Sequence, residues 1–138
     1  MKPVLLDTGA IVALLDATDS FHQRCADALA ELRAPLITCE PVIAESCYLL
    51  RNLEGAAEAI LESIASREFL IPIALADMAS PVRRIFRKYR DRRIDLADAV
   101  LIHLANEFQT GDILTVDNDF HVYRWGRSNA FRLLIPLN

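Results

Sequence analysis

Short apolar segments alternate with longer amphipathic segments along the whole chain, and this alternation restricts the fold more than any other feature. The apolar segments are short and nearly free of charge, as expected of strands covered on both faces of a sheet. We predict strands at Val4–Leu6, Leu36–Thr38, Phe69–Ile73, Ile113–Val116 and Phe131–Ile135. Strands separated by helices are typical of an α/β domain with a mostly parallel sheet.

Six helical segments lie between the first four strands. Phe21, Cys25 and Leu29 fall on one stripe of the second segment, and Asp19 or Ser20 would cap its start. The predicted helices are Gly9–Leu15, Ser20–Leu32, Pro41–Leu50, Ala56–Ala65, Leu75–Tyr89 and Leu96–Phe108.

Length and composition predict a reduced, cytoplasmic protein with one domain over residues 1–138. No uncharged apolar run approaches the ~18 residues of a membrane span, so we predict no membrane contact. The three cysteines, Cys25, Cys39 and Cys47, contain no Cys-x-x-Cys pair, which argues against disulfides and a thiolate zinc site. The net charge of −4 provides no general attraction to nucleic acid.

Two acidic residues directly follow predicted strands. Asp7 follows the first strand and Asp117 follows the fourth. Ligands of open α/β sheets bind at the carboxyl ends of the strands, which makes both acids candidate site residues. Each also has a simpler interpretation, because Asp7 could cap the helix that follows it and Asp117 belongs to an Asp-Asn-Asp turn sequence.

Two further acids lie within predicted helices in apolar surroundings. Glu45 shares a helix face with Val42 and Leu49, which we expect to pack inward, so this acid needs a cation, a partner or water. Asp98 is the second candidate. It could equally be the third residue of a helix that Asp95 caps, and the two roles are compatible.

The four acids together indicate a cation site. Clustered carboxylates raise one another's pKa unless a cation neutralises them. No cysteine is among them and no histidine is adjacent. Hard oxygen ligands of this kind suit Mg²⁺ or Mn²⁺ better than zinc.

Four segments, in this order and spacing, carry a resemblance to a known family. They are Val4-Leu5-Leu6-Asp7-Thr8, Ala44-Glu45, Asp95-Leu96-Ala97-Asp98-Ala99 and Thr115-Val116-Asp117-Asn118-Asp119-Phe120. Over nearly its whole length the chain resembles the PIN-domain ribonucleases, most closely the VapC-like toxins of bacterial and archaeal toxin-antitoxin pairs.

The resemblance implies a fold, an activity and partners. The implied fold is a PIN-like domain, a twisted parallel sheet of four or five strands with helices on both faces. The implied activity is endoribonucleolytic hydrolysis of RNA, with Mg²⁺ or Mn²⁺ bound by Asp7, Glu45, Asp98 and Asp117. The auxiliary residues would be Thr8, Thr115 and Asp119. A cognate antitoxin is implied as partner, and the resemblance and the 53% hydrophobic content favour a homodimer. Gly9 departs from the family pattern, because many relatives have Ser or another small polar residue there.

One dense basic stretch, residues 83–93, ends just before Asp95. We interpret it as a phosphate-binding surface for RNA, with Tyr89 available to stack on a base. The candidate RNA contacts are Arg87, Arg90, Arg92 and Arg93. The alternative is a solvated helix face with Ile85 and Phe86 packed inward, and an acidic antitoxin segment is a second possible ligand.

Two rival functions remain open at the level of sequence. The first is an inactive PIN-like module that binds RNA or protein without cutting. The second is a phosphotransfer domain with Asp7 as phosphoacceptor. A haloacid-dehalogenase-like phosphatase would need an Asp at the position of Gly9, and neither Lys2 nor Lys88 lies at a late strand end.

The histidines and two aromatic residues near the C-terminus are assigned no catalytic or metal-binding role. His22 and His103 fall on helices and are interpreted as packing or interface residues, and His121 as a residue bordering the site, because the three show no metal-ligand spacing. Tyr123 and Trp125 are interpreted as part of a surface loop packed by its own aromatic side chains.

Overall fold

The protein, described over residues 1–138 by a computed structural model, contains a five-stranded parallel sheet. The strands of this sheet are β1 (Val4–Leu6), β2 (Leu36–Ile37), β3 (Phe69–Leu70), β4 (Asp112–Leu114) and β7 (Arg132–Leu133), and a separate antiparallel hairpin consists of β5 (Arg124–Trp125) and β6 (Asn129–Ala130). The order in the sheet is β3-β2-β1-β4-β7, and all four pairings are parallel. The predicted α/β class with a parallel sheet is confirmed.

Six α-helices connect the strands. They are α1 (Thr8–Leu15), α2 (His22–Glu31), α3 (Glu40–Leu49), α4 (Ala56–Ala65), α5 (Ala79–Lys88) and α6 (Leu96–Phe108), and three 3₁₀ turns lie at Leu75–Asp77, Arg90–Arg92 and Asn118–His121. The chain leaves β1 towards one sheet edge and returns from β3 to the other side of β1. Because crossover connections are right-handed, this reversal places helices on both faces.

The predicted helix over Leu75–Tyr89 is wrong as one unbroken element. The segment forms a 3₁₀ turn and then α5, which begins at Ala79. Pro81 explains the break, since it lacks an N–H and its ring would clash with the carbonyl of residue 77 in a continuous helix. The new helix begins where Pro81 falls in its first turn, the position that proline tolerates.

Four of the five predicted strands are shorter than expected, only β1 has its predicted bounds, and one hairpin was not predicted. β3 ends at Leu70 because Pro72 has no N–H to donate to a ladder. The segment interpreted as a surface loop contains β5 and β6, joined by a turn in which Gly126 and Ser128 have φ of 60° and 118°. A glycine tolerates such a conformation, and the local sequence alone did not distinguish this hairpin from a loop.

The core lies around β1 and α6. Val4, Leu5 and Leu6 are all buried, and nine consecutive residues of α6, Ala97–Ala105, are buried as well. The three cysteines are free. None of the helices has both the length and the apolarity that crossing a bilayer requires. The acid at position 98 therefore belongs to the most buried helix of the protein.

Candidate metal centre

Asp7 stands where β1 ends and α1 begins. The backbone pairing of Leu6 with Leu114 brings the ends of β1 and β4 side by side. The Asp7 side chain is 5% exposed; its Oδ1 accepts a 2.8 Å hydrogen bond from the N–H of Thr8, and its Oδ2 accepts a 2.7 Å bond from the hydroxyl of Thr115. Asp7 therefore caps α1, as one interpretation of the sequence predicted. The same residue also lines a pocket at this edge of the sheet.

Asp117 reaches the same edge through the turn after β4. Its N–H donates a 3.0 Å bond to the Thr115 hydroxyl, and its Oδ1 accepts a 2.8 Å bond from the N–H of Asp119. One hydroxyl therefore contacts both the side chain of Asp7 and the backbone of Asp117. The turn chemistry predicted for the Asp-Asn-Asp run fixes the orientation of Asp117.

Asp98 enters from the first turn of α6. Asp95 caps this helix by accepting a 2.8 Å bond from the N–H of Asp98, as predicted. The Asp98 side chain is 6% exposed, and its Oδ2 accepts a 3.4 Å hydrogen bond from the hydroxyl of Tyr123. Asp95 and Asp98 both lie at the amino end of α6, where the helix dipole has its partial positive charge.

The side chains of three acids converge. Carboxylate oxygens of Asp7, Asp98 and Asp117 all lie within 4.8 Å of one another. They border an open pocket of about 260 Å³. The surface has four pockets between about 220 and 280 Å³, so size does not single this one out, and its lining of carboxylates does.

Glu45 lines the same pocket but does not belong to the group of three. It lies on α3 and is exposed. The expectation that its helix face packs inward is half wrong: Val42 is buried, whereas Leu49 is 54% exposed and also borders the pocket. The structure thus places Glu45 at the exposed rim of the pocket.

Asp95 is a pocket residue that sequence reasoning assigned only to capping. Its side chain caps α6 and also lines the pocket, and its negative charge raises the pKa of Asp7, Asp98 and Asp117. The sequence signal for this role was its position as the residue that directly precedes the helix carrying Asp98. A cap at that end of α6 necessarily lies near the acid three residues later.

Burial, more than charge, raises the pKa values of the clustered acids. The pKa of Asp98 rises to about 8, first because burial penalises the carboxylate and then because of the neighbouring negative charges. The pKa of Asp7 rises to about 6 for the same first reason, although the hydrogen bonds it accepts act in the opposite direction. The pKa of Asp117 is also raised, again by burial first. The cluster therefore favours protons or a cation over free negative charge.

The predicted auxiliary residues occupy different environments. Thr115 contacts the acids directly, as described. The Thr8 hydroxyl is buried without a hydrogen-bond partner, and Thr8 lines the pocket. Asp119 lies outside the pocket lining, and its carboxylate forms a 3.3 Å ion pair with Arg92 on the surface.

Gly9 is required by packing. A Cβ at this position would overlap with Cγ2 of Val116, and both residues line the pocket. The departure from the family pattern at position 9 is therefore matched by the branched side chain at position 116. A side chain at position 9 would require Val116 to move.

Some residues of the basic stretch are exposed to solvent, and others pack against the rest of the protein. Arg87 and Arg90 are exposed, whereas Ile85 is buried, in agreement with a helix face packed inward through its apolar side. Tyr89, predicted to be available for stacking on a base, is half-buried; its hydroxyl accepts a 2.9 Å bond from the N–H of Arg124, and its ring packs against Tyr123. Arg93 ends the 3₁₀ turn with φ of 53°.

The three histidines do not line the pocket. His22 contacts the carbonyl of Ala13 at 2.7 Å, and His103 lies 3.5 Å from Glu107 on the same helix. These contacts are consistent with the prediction that both are packing or interface residues. The suggestion that His121 borders the site does not hold for the pocket as described.

Comparisons with known proteins agree with this architecture. The sequence profile of the PIN domain matches residues 4–126. Ribonuclease VapC26 of Mycobacterium tuberculosis (strain ATCC 25618 / H37Rv) is 31% identical over 116 residues, which cover 83% of this chain and 86% of that protein. The crystal structure of Mycobacterium tuberculosis VapC20, described as a Sarcin-Ricin loop cleaving toxin, superposes with a TM-score of 0.78 at 21% identity, covering 86% of this chain and 93% of that one. The chain belongs to the PIN-domain family, and its sequence relatives include a VapC ribonuclease.

Proposed function

We propose that residues 1–138 form a metal-dependent endoribonuclease that hydrolyses RNA phosphodiester bonds and serves as the toxin of a toxin-antitoxin pair. One observation carries the proposal: three carboxylates from separate segments bring their oxygens within 4.8 Å of one another at the carboxyl edge of the sheet. The ribonuclease name of VapC26 and the toxin title of VapC20 support it.

The donor set fits a hard divalent cation. All members are carboxylates, and the neighbouring Thr115 hydroxyl is already engaged with Asp7. Hard oxygen ligands without His or Cys favour Mg²⁺ or Mn²⁺. We assign Asp7, Asp98 and Asp117 as the residues that bind the ion. Glu45, at the rim, is assigned to a water of the ion or to a second ion.

The residues of the chain prepare the reaction by orientation and charge. The hydroxyl of Thr115 donates a hydrogen bond to Asp7, and the N–H of Asp119 donates one to Asp117. Each carboxylate keeps lone pairs that can still bind a cation. A bound Mg²⁺ or Mn²⁺ would supply an activated water and neutralise charge on the phosphate. Because the pKa values of Asp7 and Asp98 are raised, ion binding at neutral pH releases protons from the cluster.

The protein has a net charge of −4 and the pocket is acidic, so RNA binding requires positively charged side chains near the pocket. We assign this role to the exposed Arg87, Arg90, Arg92 and Arg93, which precede the Asp95 cap in sequence. The side chains of the Arg92–Asp119 ion pair are 42% and 50% exposed, respectively, so the pair contributes little stability. Arg92 can therefore leave Asp119 and bind an RNA phosphate.

The biological setting is inferred from the relatives. A toxin of this kind would act in the cytoplasm on RNA, be neutralised by a cognate antitoxin protein, and form a homodimer. The 53% hydrophobic content and the exposed Tyr48, Leu49 and Leu61 are consistent with protein partners.

Cleavage of purified total RNA by the purified protein, in Mg²⁺ or Mn²⁺ with and without chelator, tests the proposal. We expect defined new 5′ ends in the presence of metal and none after chelation or with Asp98→Asn. Retained binding of RNA without any cleavage would instead support a non-catalytic binding module. Sequencing the new 5′ ends identifies the RNA that is cut.

A further inference from the structure

Tyr123 lies directly behind the acidic cluster and is not part of the pocket lining. Its side chain is only 1% exposed. The ring meets that of Phe120 edge to face, with centroids 5.2 Å apart, and that of Tyr89 in the same way at 5.1 Å. Aromatic contacts on two sides hold the ring in one orientation.

The hydroxyl of Tyr123 has one hydrogen-bond partner, Oδ2 of Asp98, at 3.4 Å. A buried phenol hydroxyl ordinarily finds a partner, and here the fixed ring leaves it only this carboxylate. The distance is longer than the 2.7 Å between Thr115 and Asp7, and hydrogen bonds at such sites often tighten only when the ligand is bound. Tyr123 is the only protein donor to the Asp98 side chain, whose Oδ1 has none.

Tyr89 anchors the segment that carries Tyr123. Its hydroxyl accepts a 2.9 Å bond from the N–H of Arg124, the residue that follows Tyr123. The end of α5 is therefore tied to the backbone beside Tyr123. This tie fixes the position from which the Tyr123 hydroxyl reaches Asp98.

Resting on the proposed function, we propose that Tyr123 is a positioning residue for the cation site: its hydroxyl orients Asp98 through Oδ2 and leaves Oδ1 for the ion. Each clustered acid would then have its own donor, Thr115 for Asp7, the Asp119 N–H for Asp117 and Tyr123 for Asp98. Such donors behind the ligands commonly change metal affinity by 10-fold or more.

Mn²⁺ binding to Tyr123→Phe, measured by electron paramagnetic resonance of the free ion, tests the role without RNA. We expect Mn²⁺ affinity to fall by about tenfold while the fold is retained, since the ring remains. Tyr48→Phe is the matched control, because it deletes the hydroxyl of an exposed tyrosine that does not line the pocket. It should change Mn²⁺ affinity by less than about twofold even if it lowers stability.

A second measurement uses the metal-free protein. The ¹³Cζ resonance of Tyr123 should move in Asp98→Ala, whereas that of the exposed Tyr48 should stay. An unmoved Tyr123 resonance would overturn the proposal, as would equal Mn²⁺ affinity of Tyr123→Phe and wild type. Wild-type protein that binds no Mn²⁺ would contradict the proposed function as well as this inference, so the two failures are distinguishable.

Discussion

The hydroxyl of Thr115 donates a 2.7 Å hydrogen bond to Oδ2 of Asp7, joining residues 108 positions apart in the chain. The two residues meet because β1 and β4 are parallel neighbours that end together. The same hydroxyl accepts from the N–H of Asp117 at 3.0 Å. This one side chain therefore sets the relative positions of two acids of the cluster.

Replacing Thr115 by Val should weaken Mn²⁺ binding by about tenfold, because the shape is kept while both hydrogen bonds are lost. The half-buried N–H of Asp117 would lose its acceptor, so we also expect a stability loss of about 1 to 2 kcal/mol. Thr115→Ser, which keeps the hydroxyl, is the control and should bind Mn²⁺ nearly as wild type does. Titration calorimetry and urea unfolding measure the two effects, and unaltered Mn²⁺ affinity of the Val variant would contradict this role.

The metal-free protein should lose stability as the pH rises from 5 to 9. The pKa of Asp7 in the folded state is about 6 and that of Asp98 about 8, both above the ordinary value of 3.8. Over the window between 3.8 and those values the folded state binds more protons than the unfolded state, so the free energy of unfolding falls with increasing pH. We expect Tm in chelator to drop by about 5 °C or more across this window.

Two controls accompany this pH series. Mg²⁺ or Mn²⁺ should restore Tm at pH 9, because an ion that binds the folded state stabilises it by mass action. Asp98→Asn should flatten the pH dependence without metal. A metal-free Tm that increases between pH 5 and pH 9 would show that burial does not raise these pKa values.

Asp7→Asn should abolish metal-dependent RNA cleavage and leave metal-free Tm at pH 8 equal to or above that of wild type. The substitution removes one negative charge from a repulsive buried cluster at almost constant shape. Cleavage assays and thermal unfolding of the same preparation measure both effects. Undiminished cleavage by the folded variant would exclude Asp7 from the site.

Gly9→Ser should destabilise the protein by about 1 to 3 kcal/mol, although glycine is normally unfavourable within a helix. The cause is overlap of the new Cβ with Cγ2 of Val116. Val116→Ala should rescue most of the loss in the double variant. A double-mutant cycle by chemical unfolding measures the coupling, and strict additivity would argue against the contact.

Reversing the charge of Arg87 and Arg90 together should weaken RNA binding and reduce its dependence on salt concentration. The control is Arg33→Glu with Arg67→Glu, two exposed arginines that precede β2 and β3 and so lie towards the amino edge of the sheet, away from the acids. Filter binding at several salt concentrations measures both slopes. Equal effects of the two pairs would remove the basic stretch from the proposed RNA surface.

The sequence alone determined the elements and the edge at which the acids gather. Turn chemistry and apolar periodicity act over a few residues, so α4 and α6 occur at their predicted bounds, and Asp7 follows β1 as predicted. In a parallel sheet the carboxyl ends of the strands share an edge, which is why the sequence alone predicts that Asp7 and Asp117 lie at one place.

The tertiary structure decided which side chains meet at that edge. The sheet order β3-β2-β1-β4-β7 and the depth of α6 bury Asp98, place Asp95 in the pocket and leave Glu45 at its rim. They also turn Tyr123 from a residue assigned to a surface loop into a buried neighbour of Asp98. Local patterns record how each segment folds, but contacts between segments depend on strand order and helix packing, which no single segment encodes.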